Sequence, residues 1–210
     1  MDRRDPYYWR AKREGYRSRA AYKLAELDDR ERFLKPGGRV LDLGCAPGGW
    51  MQVALERVGS GGRVVGIDLA PMAPLPRPNA TVIRGDLRDE AVAAAAAQAL
   101  GGPADVVLSD LSPRLSGVRD ADIARSVELV AAAAGVARRL LRPGGTFVAK
   151  VFASPETDAL VARLRPAFQT LKVIDPRASR KASTESYLVG KGFRPARLEA
   201  EPAPIPDWPG

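Results

Sequence analysis

The sequence predicts an α/β domain whose sheet is mostly parallel and covered by helices on both faces. Three observations predict it. Strand-like and helix-like segments alternate from Arg39 to Val189, the signature of repeated βαβ units. One strand, Val40–Leu43, runs directly into a glycine-rich turn and a helix, Gly44 through Trp50, the arrangement that opens ligand-binding α/β sheets. Finally, Pro-Gly-Gly turns at 36–38 and 143–145 stop helical patterns just before strands.

Taken in order, residues 1–17 form a basic and aromatic N-terminal arm, and 18–192 form one domain. A helix spans Ser18 to about Arg32, with Ser18 as N-cap and Ala21, Leu24, Ala25 and Leu27 as its apolar stripe. Arg39–Leu43 is a strand and Gly48–Val58 a helix. Strands at Arg63–Ile67 and Thr81–Arg84 flank a loop holding Pro71, Pro74, Pro76 and Pro78. An Ala-rich helix over Arg88–Leu100 precedes the strand Ala104–Ser109. The long helix Asp120–Leu141 aligns Ile123, Val127, Val130, Ala134 and Ala137 on one face. A strand at Thr146–Phe152, a helix at Pro155–Leu164, and strands near Phe168–Ile174 and Ser186–Val189 complete the set. Residues 193–210 contain five prolines and no periodicity, and read as a flexible tail.

Composition narrows the chemistry. The 210 residues include no His and a single Cys. This excludes a Ser-His-Asp or Cys-His nucleophilic centre, an HExxH zinc helix and a mixed Cys/His zinc site. Cys45 cannot form an intrachain disulfide. Proton transfer falls to carboxylates, Lys or Tyr. No apolar run approaches the ~20 residues of a membrane span, and the Arg-rich start lacks an apolar signal segment. The expectation is a cytoplasmic protein without membrane association and without a required metal.

The net charge is +8, and the basic residues cluster. Arg10, Lys12, Arg13 and Arg17 lie in an arm interleaved with Tyr7, Tyr8, Trp9, Tyr16 and Tyr22. Cations for phosphate and flat rings for stacking are what RNA binding uses.

The glycine-rich turn admits three readings. A phosphate-binding P-loop requires Lys and Ser/Thr after Gly49, where Trp50 and Met51 stand. A dinucleotide fingerprint requires Gly where Ala46 stands, which disfavours an NAD-dependent oxidoreductase. The third reading is a nucleoside without a pyrophosphate. Asp68, Asp86 and Asp110 close three successive strands, so their carboxylates share one sheet edge. Asp68 is placed to accept from ribose hydroxyls and Asp86 to meet an adenine amino group. Each Asp alone could equally serve a helix cap or turn. S-adenosyl-L-methionine, with a sulfonium and an amino-acid end, suits the acidic edge best.

The elements Ser18–Leu24, Asp42–Trp50, Gly85–Asp89, Ser109–Pro113, Leu115–Gly117, Lys150–Phe152 and Ser179 through Tyr187 resemble, in order and spacing, the FtsJ/RlmE (RrmJ) family of RNA ribose 2′-O-methyltransferases. The resemblance covers about Arg10 to Lys191. It departs in the Pro-rich loop after Asp68 and at Arg114-Leu115, where bacterial members commonly carry Asn-Met.

The resemblance implies a class I methyltransferase (Rossmann-like) sheet of seven strands, the last antiparallel. It implies a catalytic tetrad of Lys23, Asp110, Lys150 and Glu185, and cofactor contacts at Gly48, Trp50, Asp68, Asp86 and Asp110. It implies S-adenosyl-L-methionine as cofactor and RNA as partner, a uridine of large-subunit ribosomal RNA within the large subunit, with tRNA or a non-catalytic RNA-binding role as alternatives. Lys150 is then either the base for the 2′-hydroxyl or a charged group that only orients it.

Overall fold

In a computed structural model, residues 6–113, 116–176 and 185–197 are described. The chain order is α1 Pro6–Glu14, α2 Ala20–Glu31, β1 Arg39–Leu43, α3 Gly49–Val58, β2 Arg63–Asp68 and β3 Ala80–Arg84. It continues α4 Glu90–Leu100, β4 Ala104–Ser109, α5 Arg119–Leu140, β5 Leu141–Phe152, α6 Pro155–Leu164, β6 Thr170–Ile174 and β7 Glu185–Lys191.

The seven strands form one sheet in the order β3-β2-β1-β4-β5-β7-β6. Only β7 runs against the others. The expected seven-stranded sheet with one antiparallel strand is thus present, with an apolar layer on each face. Side-chain alternation along the strands produces the two layers. Leu41, Leu43, Val65, Ile67 and Val107 face one core with α4, α5 and α6. Val40, Val64, Val106 and Leu108 face the other with α2 and α3. Ser154 caps α6, its hydroxyl accepting from the Thr157 amide at 3.1 Å.

The strand order fixes the site. The chain leaves β1 toward β2 and β3, then returns to place β4 on the other side of β1. The two directions of winding diverge between β1 and β4, and a crevice opens beyond their C-terminal ends.

The structure adds three features to the expected elements. The arm holds a helix: α1 covers Pro6–Glu14, and Ala11 packs in a small cluster with Tyr7, Tyr16 and the buried Tyr22. Second, β5 begins at Leu141 rather than Thr146, because Leu141 already pairs with Ala104 before the turn interrupts the ladder. Third, Phe193 belongs to the core and not to a tail. It is 1% exposed and lies 5.5 Å from the Phe168 ring, and its backbone bonds to Gly144 and Gly145. The rest of the tail beyond Arg197, the Arg114-Leu115 pair and the Ser179–Ser183 motif lie outside the described residues.

Candidate active site

A cleft of about 1000 Å³ opens at the C-terminal edge of the sheet. Gly44 floors it where β1 ends, with φ +78°, and a side chain there would strike Leu111 at 2.7 Å. Only glycine allows the turn and the close packing together. The walls combine Ile67, Leu87, Leu111 and Leu129 with the carboxylates of Asp68, Asp86 and Asp110.

Each carboxylate is held differently. Asp68 accepts from the Ala46 amide at 2.9 Å and from the Ala70 amide at 2.8 Å. Two fixed donors lock its orientation and leave further lone pairs toward the cleft. Asp86 is gripped by Arg88, whose Nη2 donates at 2.6 Å and Nε at 3.0 Å. That pairing pulls its pKa down to about 2, so Asp86 remains ionised at any physiological pH. The expected adenine contact requires the exposed Arg88 side chain to yield. Asp110 turns to the reaction side, described below.

Gly48 and Trp50, expected as cofactor contacts, stand apart from the cleft lining. Gly48 backs onto Arg17 and Met72, so that a Cβ there would lie 3.1 Å from both. Trp50 is buried in the core, donates its indole N–H to the Ala20 carbonyl at 2.8 Å and packs 5.6 Å from the Tyr187 ring. Trp50 and Met51, the first large side chains of α3, are both buried in the core.

Arg17 was expected on RNA phosphate. Instead its guanidinium donates to three carbonyls, Ala73 at 2.6 Å, Pro74 at 2.7 Å and Pro47 at 3.3 Å. It ties the start of the fold to both the glycine-rich turn and the Pro-rich loop that follows Asp68. Arg10 is likewise engaged, pairing with Glu14 at 2.8 Å and lying 4.5 Å over the Tyr22 ring. Tyr16 and Tyr22 donate to Glu56 and Glu14. Lys12 and Arg13 are exposed.

The four polar residues of the expected tetrad converge as two pairs. Lys150 Nζ donates to the Asp110 carbonyl at 3.0 Å and lies 3.3 Å from its Oδ1. Lys23 Nζ meets Glu185 Oε2 at 2.5 Å. Both lysines are buried, each below 10% exposure. Tyr187 joins the pairs. It faces Lys150 across the β5–β7 ladder, donates its hydroxyl to Asp110 Oδ1 at 2.9 Å, and presents its ring 5.7 Å from Lys23 Nζ. Burial first, and then the Asp110 carboxylate, drive the Tyr187 phenol far above its usual range. It is therefore a fixed neutral donor that aims Asp110 at Lys150.

Two functional positions escaped the sequence reading. Tyr187 was visible as an aromatic in a polar motif, but its link to Asp110 spans 77 residues. Asp42 is fully buried in β1, and neither of its oxygens finds a donor among the described residues. Burial, reinforced by Asp110 and Asp68, raises its carboxyl well above the usual range. A lone polar residue inside an apolar strand was the available signal. Among the described residues, no group of three or more Cys, Asp or Glu is placed to hold a metal ion.

The sequence matches the model of the FtsJ-like methyltransferase family over residues 16–193. It is 49% identical to the Ribosomal RNA large subunit methyltransferase E of Methanothermobacter thermautotrophicus, over 91% of both chains. The enzyme of the same name from Rhodopseudomonas palustris is 49% identical over 90% of this chain and 81% of its own. Among solved structures, a Plasmodium falciparum protein assigned as a ribosomal RNA methyltransferase superposes with a TM-score of 0.75. It shares 34% identity, over 85% of this chain and 98% of its own. Aeropyrum pernix fibrillarin, solved with natively bound S-adenosyl-L-methionine, shares the fold at a TM-score of 0.55 and 20% identity, over 83% of this chain and 75% of its own. With a family match across most of the domain and relatives at nearly half identity, the chain belongs to the FtsJ-like methyltransferases.

Proposed function

We propose that this protein methylates the 2′-hydroxyl of a ribose in large-subunit ribosomal RNA, at a uridine, using S-adenosyl-L-methionine, and that it acts in the cytoplasm. The observation that carries this reading is the meeting of two buried lysines with half-buried carboxylates, Lys150–Asp110 and Lys23–Glu185, around Tyr187 beside an acid-walled cleft. The relatives named for large-subunit RNA support the substrate.

The cleft fits the cofactor in volume and chemistry. Its apolar walls suit a base and its carboxylates offset a cationic end. The Gly44 floor lets backbone approach where a Cβ would fill the space. Asp68, Asp86 and Asp110 would hold it. When bound, S-adenosyl-L-methionine supplies a methyl group activated by a sulfonium and a neutral thioether as leaving group.

What remains for the protein is to bring the ribose oxygen into line and protect it from water. An ammonium has three N–H bonds. Asp110 accepts one from Lys150 through its backbone carbonyl and faces the ammonium with Oδ1 at 3.3 Å, which leaves an N–H for the 2′ oxygen. Lys150 in this role is a cation that orients the hydroxyl, whose proton departs to solvent as the ether oxygen forms. Lys23, fixed by Glu185, stands as a second donor on the other side of Tyr187. Burial strengthens these contacts because little water competes for them.

Mapping 2′-O-methyl positions in total RNA from cells with and without this protein tests the proposal. Loss of one methyl from large-subunit RNA is expected. Loss confined to tRNA, or no change, overturns it.

A further inference from the structure

The opposite end of the sheet carries a second site. Two turns of matching sequence, Leu34-Lys35-Pro36-Gly37-Gly38 and Leu141-Arg142-Pro143-Gly144-Gly145, lead into or interrupt β1 and β5. Only β4 separates those strands, so the turns stand on either side of its start. Together they frame an open depression of about 370 Å³.

Four cations line it, Arg32, Lys35, Arg142 and Lys191, against one carboxylate, Asp105. Asp105 is already committed to Arg142 Nε at 2.5 Å and the Arg39 amide at 2.8 Å. Lys191 is held by Glu31 at 3.1 Å. Arg32 and Lys35 are exposed and have no carboxylate partner among the described residues. Arg32 also sits at φ +52°, where its amide closes α2. Side chains seldom adopt that conformation, and Gly or Asn would do so with less strain. The basic edge continues with Arg39 and Arg63, which open β1 and β2 in mutual register.

We infer that this depression binds a backbone phosphate of RNA, from a second segment of the same molecule whose ribose enters the cleft. The inference rests on the reading of the protein as an RNA methyltransferase. An unpaired guanidinium forks onto phosphate oxygens, and a lysine adds a point charge. The surrounding amides are already used: Gly37, Gly38 and Gly144 donate to Val58, Lys35 and Phe193. No amide nest therefore exists for a free anion, and recognition falls to side-chain charge along an open rim. That mode positions a nucleic-acid backbone without reading its sequence. Lys150 lies four residue steps along β5 from Thr146 in this depression, about 13 Å at ~3.3 Å per residue. The two sites thus hold different parts of one RNA.

The test compares the wild type with the Arg32→Asn/Lys35→Gln double variant. Asn tolerates the left-handed backbone, so the fold is kept. Large-subunit RNA from cells lacking the protein is the probe. The expected result is a slope of log affinity against log salt reduced by about 1, for the one phosphate no longer neutralised. KM for that RNA rises on the order of tenfold, and kcat at saturating RNA and affinity for S-adenosyl-L-methionine stay unchanged. A wild-type salt slope, or an equal fall in kcat, overturns the inference. So does a variant that loses only a thermal shift induced by inorganic phosphate, which assigns the depression to a free anion. If wild-type protein transfers no methyl to this RNA, the parent reading fails, a result distinct from an unaltered double variant.

Discussion

The two ends of the sheet use charge in opposite ways. At the C-terminal end, the lysines are buried and matched to carboxylates: Lys150 is 7% exposed, donates to the Asp110 carbonyl and pairs with its carboxylate. At the N-terminal end, Arg142 is 48% exposed, and Arg32 and Lys35 face solvent without acids among the described residues. A buried pair is held to one geometry, because breaking it leaves an uncompensated charge in a dry site. An exposed cation is mobile and screened by salt. The first arrangement aligns atoms, whereas the second collects a polyanion. Chemistry and affinity are therefore separable by substitution.

The largest effect should come from the buried end. Lys150→Ala should reduce kcat by about 10²–10³-fold and leave the affinity for S-adenosyl-L-methionine near wild type by calorimetry. Loss of cofactor binding instead would assign Lys150 to the cleft.

Arg17 sharpens the contrast, because it is a cation consumed by structure. Arg17→Ala frees the carbonyls of Ala73, Pro74 and Pro47 and loosens the loop beside Asp68. KM for the cofactor should rise about tenfold, equivalent to ~1.4 kcal/mol, with kcat little changed. A salt-dependent loss of RNA affinity with unaltered cofactor KM would return Arg17 to the phosphate-binding set.

Within the N-terminal helix, the exposed Lys12 and Arg13 are the residues left for phosphate. Neutralising both should lower the salt slope of RNA binding by about 2, whereas Arg10→Gln should scarcely move it, since Arg10 is paired with Glu14. Equal slopes for the two variants would erase the distinction.

The smallest effect concerns Asp42. Its folded pKa is raised by burial, so the folded state holds a proton that the unfolded chain releases. Stability from this group is full below the ordinary carboxylate pKa near 3.9 and declines as pH rises above it. Asp42→Asn should flatten that decline and raise Tm at pH 7 by a few degrees, at ~2–4 °C per kcal/mol. An unchanged pH dependence of Tm would contradict a raised Asp42 carboxyl.

The strands and helices were largely legible because their ends are marked locally. Ala104–Ser109 and Pro155–Leu164 begin and end where the sequence places them, bounded by Gly, Pro and a serine cap. Helix α1 was not legible, since it buries only Ala11 and presents no apolar stripe. Phe193 was missed because its burial is decided by Phe168, a neighbour only in space. The glycine-rich turn announced a ligand edge, but its sequence does not say which side chains turn inward. Trp50 consequently packs under Tyr187 rather than in the cleft. The tetrad became visible only through family resemblance: Lys23 and Glu185 are 162 residues apart, and no local pattern connects them.

The central claim is that two paired lysines at the C-terminal edge direct methyl transfer to a ribose oxygen. The most direct measurement is single-turnover transfer of labelled methyl from S-adenosyl-L-methionine to large-subunit RNA from cells lacking the protein, followed by nucleoside analysis. The expected result is one 2′-O-methyluridine formed by the wild type and almost none by Lys150→Ala with the cofactor still bound. Label on a base, or equal rates for the two proteins, would contradict it.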